Sequence, residues 1–282
     1  TDSYVVDPLQ FPGGDIGRIA VCGTVNDLAV QGAKPLALSA GFIIEEGFSM
    51  ALLGRIAASM RRAAREAGVF IATGDTKVVE KGKADKLFIN TSGVGLLPKG
   101  LRLSSSNIRP GDAVILSGRL ADHGVAVMNA RNHLGFSGAI RSDAAPLNAM
   151  IARALKASSR IRAIRDITRG GLGTVLNEAA AACRSGIEID ETGIPVSPAV
   201  DSACRLLGLD PLYVANEGKA VLFAAAADAP GIVSALRSCK YGREACVIGR
   251  VVKGRSQVRL RTAIGGTRLV LMLEGEQLPR IC

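Results

Sequence analysis

Apolar residues recur along the chain at two periods. From 16 to 30 they fall at helical spacing, weakened at Gly23 and stopped by Gly32-Ala33-Lys34-Pro35. Ser49 caps a second helix that sets Leu53, Ile56, Met60 and Ala64 on one face and Arg61, Arg62 and Arg65 on the other. Runs at 3–6, 36–44, 69–73 and 87–97 read as strands, the last broken by Gly93 and Gly95, which predict a bulge or a close backbone approach. A polar stretch from 98 to 110 interrupts the pattern. Beyond it the spacing predicts strands at 112–117, 187–189, 220–225, 245–252, 258–261 and 268–273. Helices are predicted at 122–133, 144–157, 172–183, 200–207 and 230–238.

This mixture predicts an α/β (α+β) protein of two domains, 1–98 and 99–273, followed by a mobile tail at 274–282 that carries Cys282. With 282 residues, 48% of them hydrophobic, there is material for two cores. No apolar run reaches the roughly 18 residues of a membrane span, and no signal peptide is recognisable. The first residue is Thr1 rather than Met, and residues 1–6 already read like the inside of a fold, so a preceding segment is expected to have been trimmed.

Charge changes the picture only in its placement. The net charge is +10, and the whole excess falls in 99–282. A basic half suits polyanions or acidic partners. The absence of Trp and the scarcity of Tyr and Phe argue against a nucleic-acid reader. Six cysteines in so long a chain do not form a disulfide scaffold, and Cys22, Cys183 and Cys204 read as buried thiols. Neither His123 nor His133 has a partner at zinc-ligand spacing. A reducing cytoplasm is the expected compartment.

The candidate chemistry lies in acidic spots read as standing beside turns: Asp2, Asp15, Asp27 and Asp75, together with Asp166 in Arg165-Asp166-Ile167-Thr168-Arg169-Gly170-Gly171. Scattered carboxylates without histidine suit Mg²⁺, which keeps waters and phosphate oxygens as its other ligands. The glycine pair runs into a helix start, where free N–H groups and the dipole favour phosphate. No GxxxxGK[ST] or GxGxxG pattern accompanies it. Gly74-Asp75-Thr76-Lys77 reads either as a turn or as a cation brought to phosphate. In Asn216-Glu217-Gly218-Lys219, Glu217 reads either as a solvated turn residue or as a general base. The stretch Pro279-Arg280-Ile281-Cys282 places a soft nucleophile on a short, stiffened arm.

Taken together, the segments at 25–29, 74–79, 166–173 and 216–219 and the Pro-Arg-Ile-Cys ending resemble the HypE family of hydrogenase maturation carbamoyl dehydratases. That family lies in the superfamily of aminoimidazole ribonucleotide synthetase and selenophosphate synthetase. The resemblance spans the chain. It implies ATP-dependent dehydration of a carboxamide carried on Cys282 to a thiocyanate, the source of a cyanide ligand of [NiFe]-hydrogenase. HypF carbamoyltransferase loads the thiol and a HypC-HypD complex receives the cyanide. The resemblance also implies a homodimer whose N-terminal domains share a β-barrel, a C-terminal α/β sandwich, and an ATP site across the dimer interface.

By position it implies Asp2, Asp27 and Asp166 on Mg²⁺, and Asn26, Thr73, Asp75, Thr168, Gly170 and Gly171 around ATP. Cys282, Lys77 and Glu217 take the catalytic roles. The family carries a further Gly-rich, acidic segment before the position of Thr1, so weakened ATP binding is expected without it. A sister synthetase acting on a small free substrate is the nearest alternative, and a non-enzymatic scaffold the next.

Overall fold

Helix α1 (Ile16–Val30) is capped by Asp15, whose side chain accepts from the Arg18 N–H. It is buried nearly all round, which marks it as a core helix. It follows a short strand β1 (Asp2–Tyr4) and a two-stranded hairpin, β2 (Gln10–Phe11) with β3 (Gly14–Asp15). Strand β4 (Lys34–Glu45), helix α2 (Met50–Ala67), β5 (Phe70–Val79) and β6 (Leu87–Leu96) complete the first half. In α2, Ser49 accepts from Leu52 N–H at one end and Gly68 adopts the left-handed conformation at the other. Its apolar face, with Ile56, Met60 and Ala64, is buried, while the arginine face is exposed. The computed structural model describes residues 1–136, 140–275 and 278–282.

The four strands form one sheet in the order β1-β6-β4-β5, with β4 and β5 parallel and the other pairs antiparallel. One face buries Tyr4, Leu38, Ala40, Ile89 and Thr91 under α1 and α2. The other leaves Ile43, Val94 and Leu96 exposed, and β5 lies open along nearly its whole length. Gly93 is a close approach: a Cβ there would stand 2.8 Å from side-chain atoms of both Leu28 and Leu38.

The second half comprises β7 (Asp112–Leu116), α3 (Asp122–Asn132), α4 (Asn148–Ala157), β8 (Ile161–Asp166), α5 (Gly171–Cys183) and β9 (Gly186–Asp190), and then α6 (Pro198–Leu207), β10 (Ala220–Ala225), α7 (Ala229–Arg237), β11 (Cys246–Val252), β12 (Val258–Arg261) and β13 (Thr267–Val270). Its seven strands order as β13-β12-β9-β11-β7-β10-β8, antiparallel except for β12 beside β9. Core residues of α3, α5 and α6 cover one face and those of α4 and α7 the other, so β7 is buried on both sides, as its unbroken apolar run requires. The C-terminal end of α1 inserts Ala29 and Val30 into the core under α4 and α7. This α/β arrangement matches the expected fold class.

Three local expectations change. Gly74-Asp75-Thr76-Lys77 is no turn; it lies inside β5, paired with Ala40 to Ile43 of β4. Asp27 sits within α1 rather than beside a turn. Residues 144–147 are not helical. They form an irregular hook whose Leu147 N–H donates to Asn26 Oδ1 at 2.7 Å. Three strands were not anticipated: the two-residue β2 and β3, and β8, which pairs with β10 at the edge of the sheet and whose Arg162, Arg165 and Asp166 break its apolar run.

Candidate active site

The tail is docked. Val5 N–H donates to Cys282 O and Asp7 N–H to Arg280 O, each at 3.2 Å, so 280–282 runs antiparallel to the segment just after β1. Ile281 is buried, and the Arg280 guanidinium reaches Asp85 at 3.1 Å. The end of the tail, with Leu278, walls a cavity of about 290 Å³ together with Arg169, Gly170, Thr174 and Ala215. The expected mobile arm is therefore seated here in a cleft between the two halves; residues 276–277 of its expected span lie outside the described residues.

Burial pushes the Cys282 thiol well above its usual range, and the facing Glu217 carboxyl adds to this while Arg169 opposes it. Burial likewise raises Glu217 well above the carboxylate range, reinforced by Asp143, Asp166 and Asp2 and opposed by the thiol. Glu217 Oε1 is buried and has no hydrogen-bond partner. A buried acceptor left open in this way marks a place for a missing donor.

Its backbone is fixed by neighbours that the sequence did not single out. Glu217 N–H donates to Asp143 Oδ1 at 2.9 Å, and Lys219 bonds Asp143 Oδ2 at 2.9 Å. Burial works against the Asp143 charge, but Lys219 above all, and the Glu217 N–H, hold the carboxyl below its usual range. Gly218 is obligatory between them, since a Cβ there would fall 2.0 Å from Asp143 O. Asn216 accepts from Ala121 N–H and donates to Val214 O, so the motif's asparagine is structural.

Asp27 couples electrostatically to Asp166 and Asp2, and these two also act on Glu217. Asp27 is raised to about 7, first by burial and then by Asp166 and Asp2. Asp166 is raised by burial and by Asp2, partly offset by its own backbone, Arg165 and a hydrogen bond from Thr168. Asp2 comes from β1, Asp27 from α1 and Asp166 from the end of β8, so the acid cluster joins both halves. Just beyond Asp166, Gly170 and Gly171 take φ of 76° and 63°. A Cβ on Gly171 would meet Leu212 O at 2.4 Å, so this bend belongs to glycine on both counts. Helix α5 starts there with no side-chain cap on its first N–H groups.

Of the remaining candidates Asn26 borders the site, and the β5 residues lie elsewhere. Asn26 is buried, and its amide is engaged with Ala145 O, Glu217 O and Leu147 N–H. Thr73, Asp75 and Lys77 lie on exposed β5, whereas Asp2 lies on β1 at the opposite edge. The edges are three strand spacings apart, roughly 14 Å. Register also separates the faces: Thr91 pairs with Asp2 and turns inward, while the rung Ser3–Asn90–Gly41–Asp75 turns outward. Within one chain, Lys77 and Glu217 are thus not brought together.

Residues 1–97 match the description "AIR synthase related protein, N-terminal domain" and 109–261 match its C-terminal counterpart. The chain is 56% identical over 283 residues to "Carbamoyl dehydratase HypE" of Cupriavidus necator, covering all of this chain and 81% of that protein. With the Escherichia coli K12 protein of the same name it shares 48% over 282 residues, covering all of this chain and 83% of that one. The solved structure "Hydrogenase Maturation Protein HypE in complex with ATP" superimposes with a TM-score of 0.96 at 48% identity, over all of this chain and 85% of that one. A "HypE-HypF complex" gives 0.92 at 49%, over 95% and 88%. The likeness to thiamine monophosphate kinase of Aquifex aeolicus, at 18% identity and 0.64, concerns the fold alone.

Proposed function

Because the chain belongs to the HypE carbamoyl dehydratases of the AIR synthase related family, we propose that it dehydrates a carboxamide carried on the sulfur of Cys282 to a thiocyanate, using ATP, in hydrogenase maturation. The observation that carries this reading to the residues is the docked tail, which sets the Cys282 thiol against a buried carboxyl with one oxygen open. A carboxamide on that sulfur presents N–H groups to Glu217.

An amide oxygen is a poor leaving group. Bound ATP supplies the phosphoryl group with which that oxygen departs as phosphate. Glu217 takes a proton from the amide nitrogen, and loss of the second proton leaves the C≡N bond on sulfur. Burial makes Glu217 a stronger base than an exposed carboxylate, which suits this transfer. Lys219 and Asp143 hold its backbone in place. Arg169 brings positive charge beside the sulfur.

The acid cluster fits Mg²⁺. Asp2, Asp27 and Asp166 offer hard oxygen donors, and the mutual repulsion that raises Asp27 is what a divalent cation relieves. Among the described residues no group of three or more His, Cys, Asp or Glu is placed to hold a metal ion by itself, so water and phosphate oxygens would supply most of the shell. Thr168, Gly170 and Gly171 would lie along the phosphates.

Two copies of the chain complete the site. The exposed apolar face with Ile43, Val94 and Leu96 and the open β5 edge suit pairing of N-terminal sheets in a homodimer. That pairing would carry Thr73, Asp75 and Lys77 of one copy to the acid cluster of the other. A HypF-type carbamoyltransferase is the partner that loads the thiol, and a HypC-HypD complex the acceptor of the cyanide. No described helix is long and apolar enough to cross a membrane.

The test is mass spectrometry of the peptide bearing Cys282 after enzymatic carbamoylation and addition of Mg-ATP. Loss of one water is expected. ATP turnover with an unchanged peptide would favour a synthetase acting on a free substrate, and no turnover a scaffold.

The cation has its own signature. Asp27 holds a proton in the folded protein up to about pH 7, while an unfolded aspartate loses it near 3.9. Metal-free stability from this group is therefore present at low pH and lost as pH rises through about 7. Melting curves should show that decline in the wild type. It should be blunted in Asp27→Asn, and Mg²⁺ should reverse it only in the wild type.

A further inference from the structure

We propose that His123 and Arg131 are positioning residues that seat the tail by its main-chain carbonyls and so set the balance between loading of Cys282 and dehydration of its cargo. The inference rests on the dehydratase reading above. His123 is fully buried, packed edge-on against Phe11 at 5.3 Å between centroids. Its Nε2 stands 2.8 Å from Ile281 O, and its Nδ1 2.8 Å from Ser142 Oγ. A carbonyl only accepts, so Nε2 carries the proton and Nδ1 accepts from the Ser142 hydroxyl. Ser142 Oγ is itself fixed by the Ala144 N–H at 3.1 Å. Burial disfavours the charged ring, which agrees with this tautomer.

Arg131 grips the next carbonyls. Nη1 donates to Pro279 O at 2.8 Å and Nη2 to Arg280 O at 2.5 Å, while Nε donates to Asp7 O at 2.7 Å. Both residues lie on α3, two turns apart, so one rigid helix holds three consecutive carbonyls of the tail. Neither residue contacts the sulfur. They act through the tail, fixing where Cys282 stands relative to Glu217.

A seated thiol is hidden from any loading partner, and a free thiol is remote from the base. Weakening the seat should therefore move the two half-reactions in opposite directions, which a merely destabilised fold would not do. His123→Phe keeps the ring against Phe11 and removes the donor. Arg131→Ala removes two tail bonds at a partly exposed site. Each lost bond should lower the docking equilibrium constant about tenfold.

Two rates are measured on the full-length protein: iodoacetamide alkylation of Cys282 by peptide mass, and water loss from the pre-carbamoylated protein. With the seat about half filled in the wild type, the first should rise by up to about twofold in both variants, while the second should fall about fivefold in His123→Phe and about fiftyfold in Arg131→Ala, with melting temperatures recorded alongside. His123→Gln, which returns an N–H near the Nε2 position, should recover much of both. Unchanged alkylation in Arg131→Ala and His123→Phe, or both rates falling together, would overturn the seat. The alkylation arm needs no dehydration, so wild-type protein that never loses water would sink the dehydratase reading and leave the seat to be judged alone.

Discussion

Exchange of Cys282 for alanine is expected to abolish water loss completely while leaving ATP binding, followed by calorimetry, unchanged. No other thiol of the chain can stand in. Cys22 is buried in α1, and burial pushes its thiol up to about 12. Cys204 is raised to about 11 by burial and by Asp201 and Asp210. Cys246 is raised by burial and bonds Gly193 O, Cys239 bonds Ala235 O, and Cys183 bonds Ala180 O. Of these five only Cys22 feels Glu217, and only after burial, Arg18 and Glu66. Cys282 itself is poorly nucleophilic while docked, because burial and Glu217 both oppose the thiolate. Loading thus belongs to the undocked state and dehydration to the docked one. Persistent water loss in Cys282→Ala would place the carrier elsewhere and remove the basis of the assignment.

Lys77→Ala and Glu217→Gln should each reduce dehydration by about two to four orders of magnitude, the range for loss of a positioned acid–base group. Their mixture should regain activity. In one chain the two residues lie apart, with Lys77 on the exposed edge strand β5 and Glu217 buried in the second half, its main-chain oxygen bonded by Asn26 of α1. If a second copy supplies Lys77, a dimer of the two variants holds one site with both residues intact and one with neither. Random re-pairing of equal amounts should then return about a quarter of wild-type turnover, since half the dimers are mixed and half their sites are whole. The mixture is prepared by co-expression and read by the same peptide mass. A mixture no more active than its parents would put both residues in a single chain's site or show that Lys77 has no role.

Much of the fold was legible because its elements carry strong local signals. Helix α1 was marked by its apolar spacing and the Gly-Pro stop, though its Asp15 cap was read as an acidic spot beside a turn, and α2 was marked by Ser49 and its one-sided pattern. Failures came where tertiary pairing overrides local chemistry. Glycine, aspartate and threonine at 74–76 read as a turn, yet β4 offers a continuous partner along that stretch. The hook at 144–147 looks helical by composition, but its N–H and C=O groups go to Asn26 and its neighbours.

The acid cluster was legible as residue types, since Asp27 and Asp166 do couple. Their convergence with Asp2 was not legible from spacing, because it depends on strands and helices from both halves. His123 and Arg131 gave no sequence signal at all: a histidine with no ligand at metal spacing and an arginine on a helix are ordinary, and only the carbonyls they meet distinguish them.

Because the grip on residues 279–281 comes through main-chain carbonyls and one buried isoleucine, the tail is bound as a tethered ligand. Tethering holds such an arm near its receptor at an effective concentration on the order of millimolar. A receptor with only millimolar intrinsic affinity is then filled about half the time. Feeble attachment therefore suffices for delivery, and anything much tighter would imprison the sulfur and starve the cycle of fresh cargo.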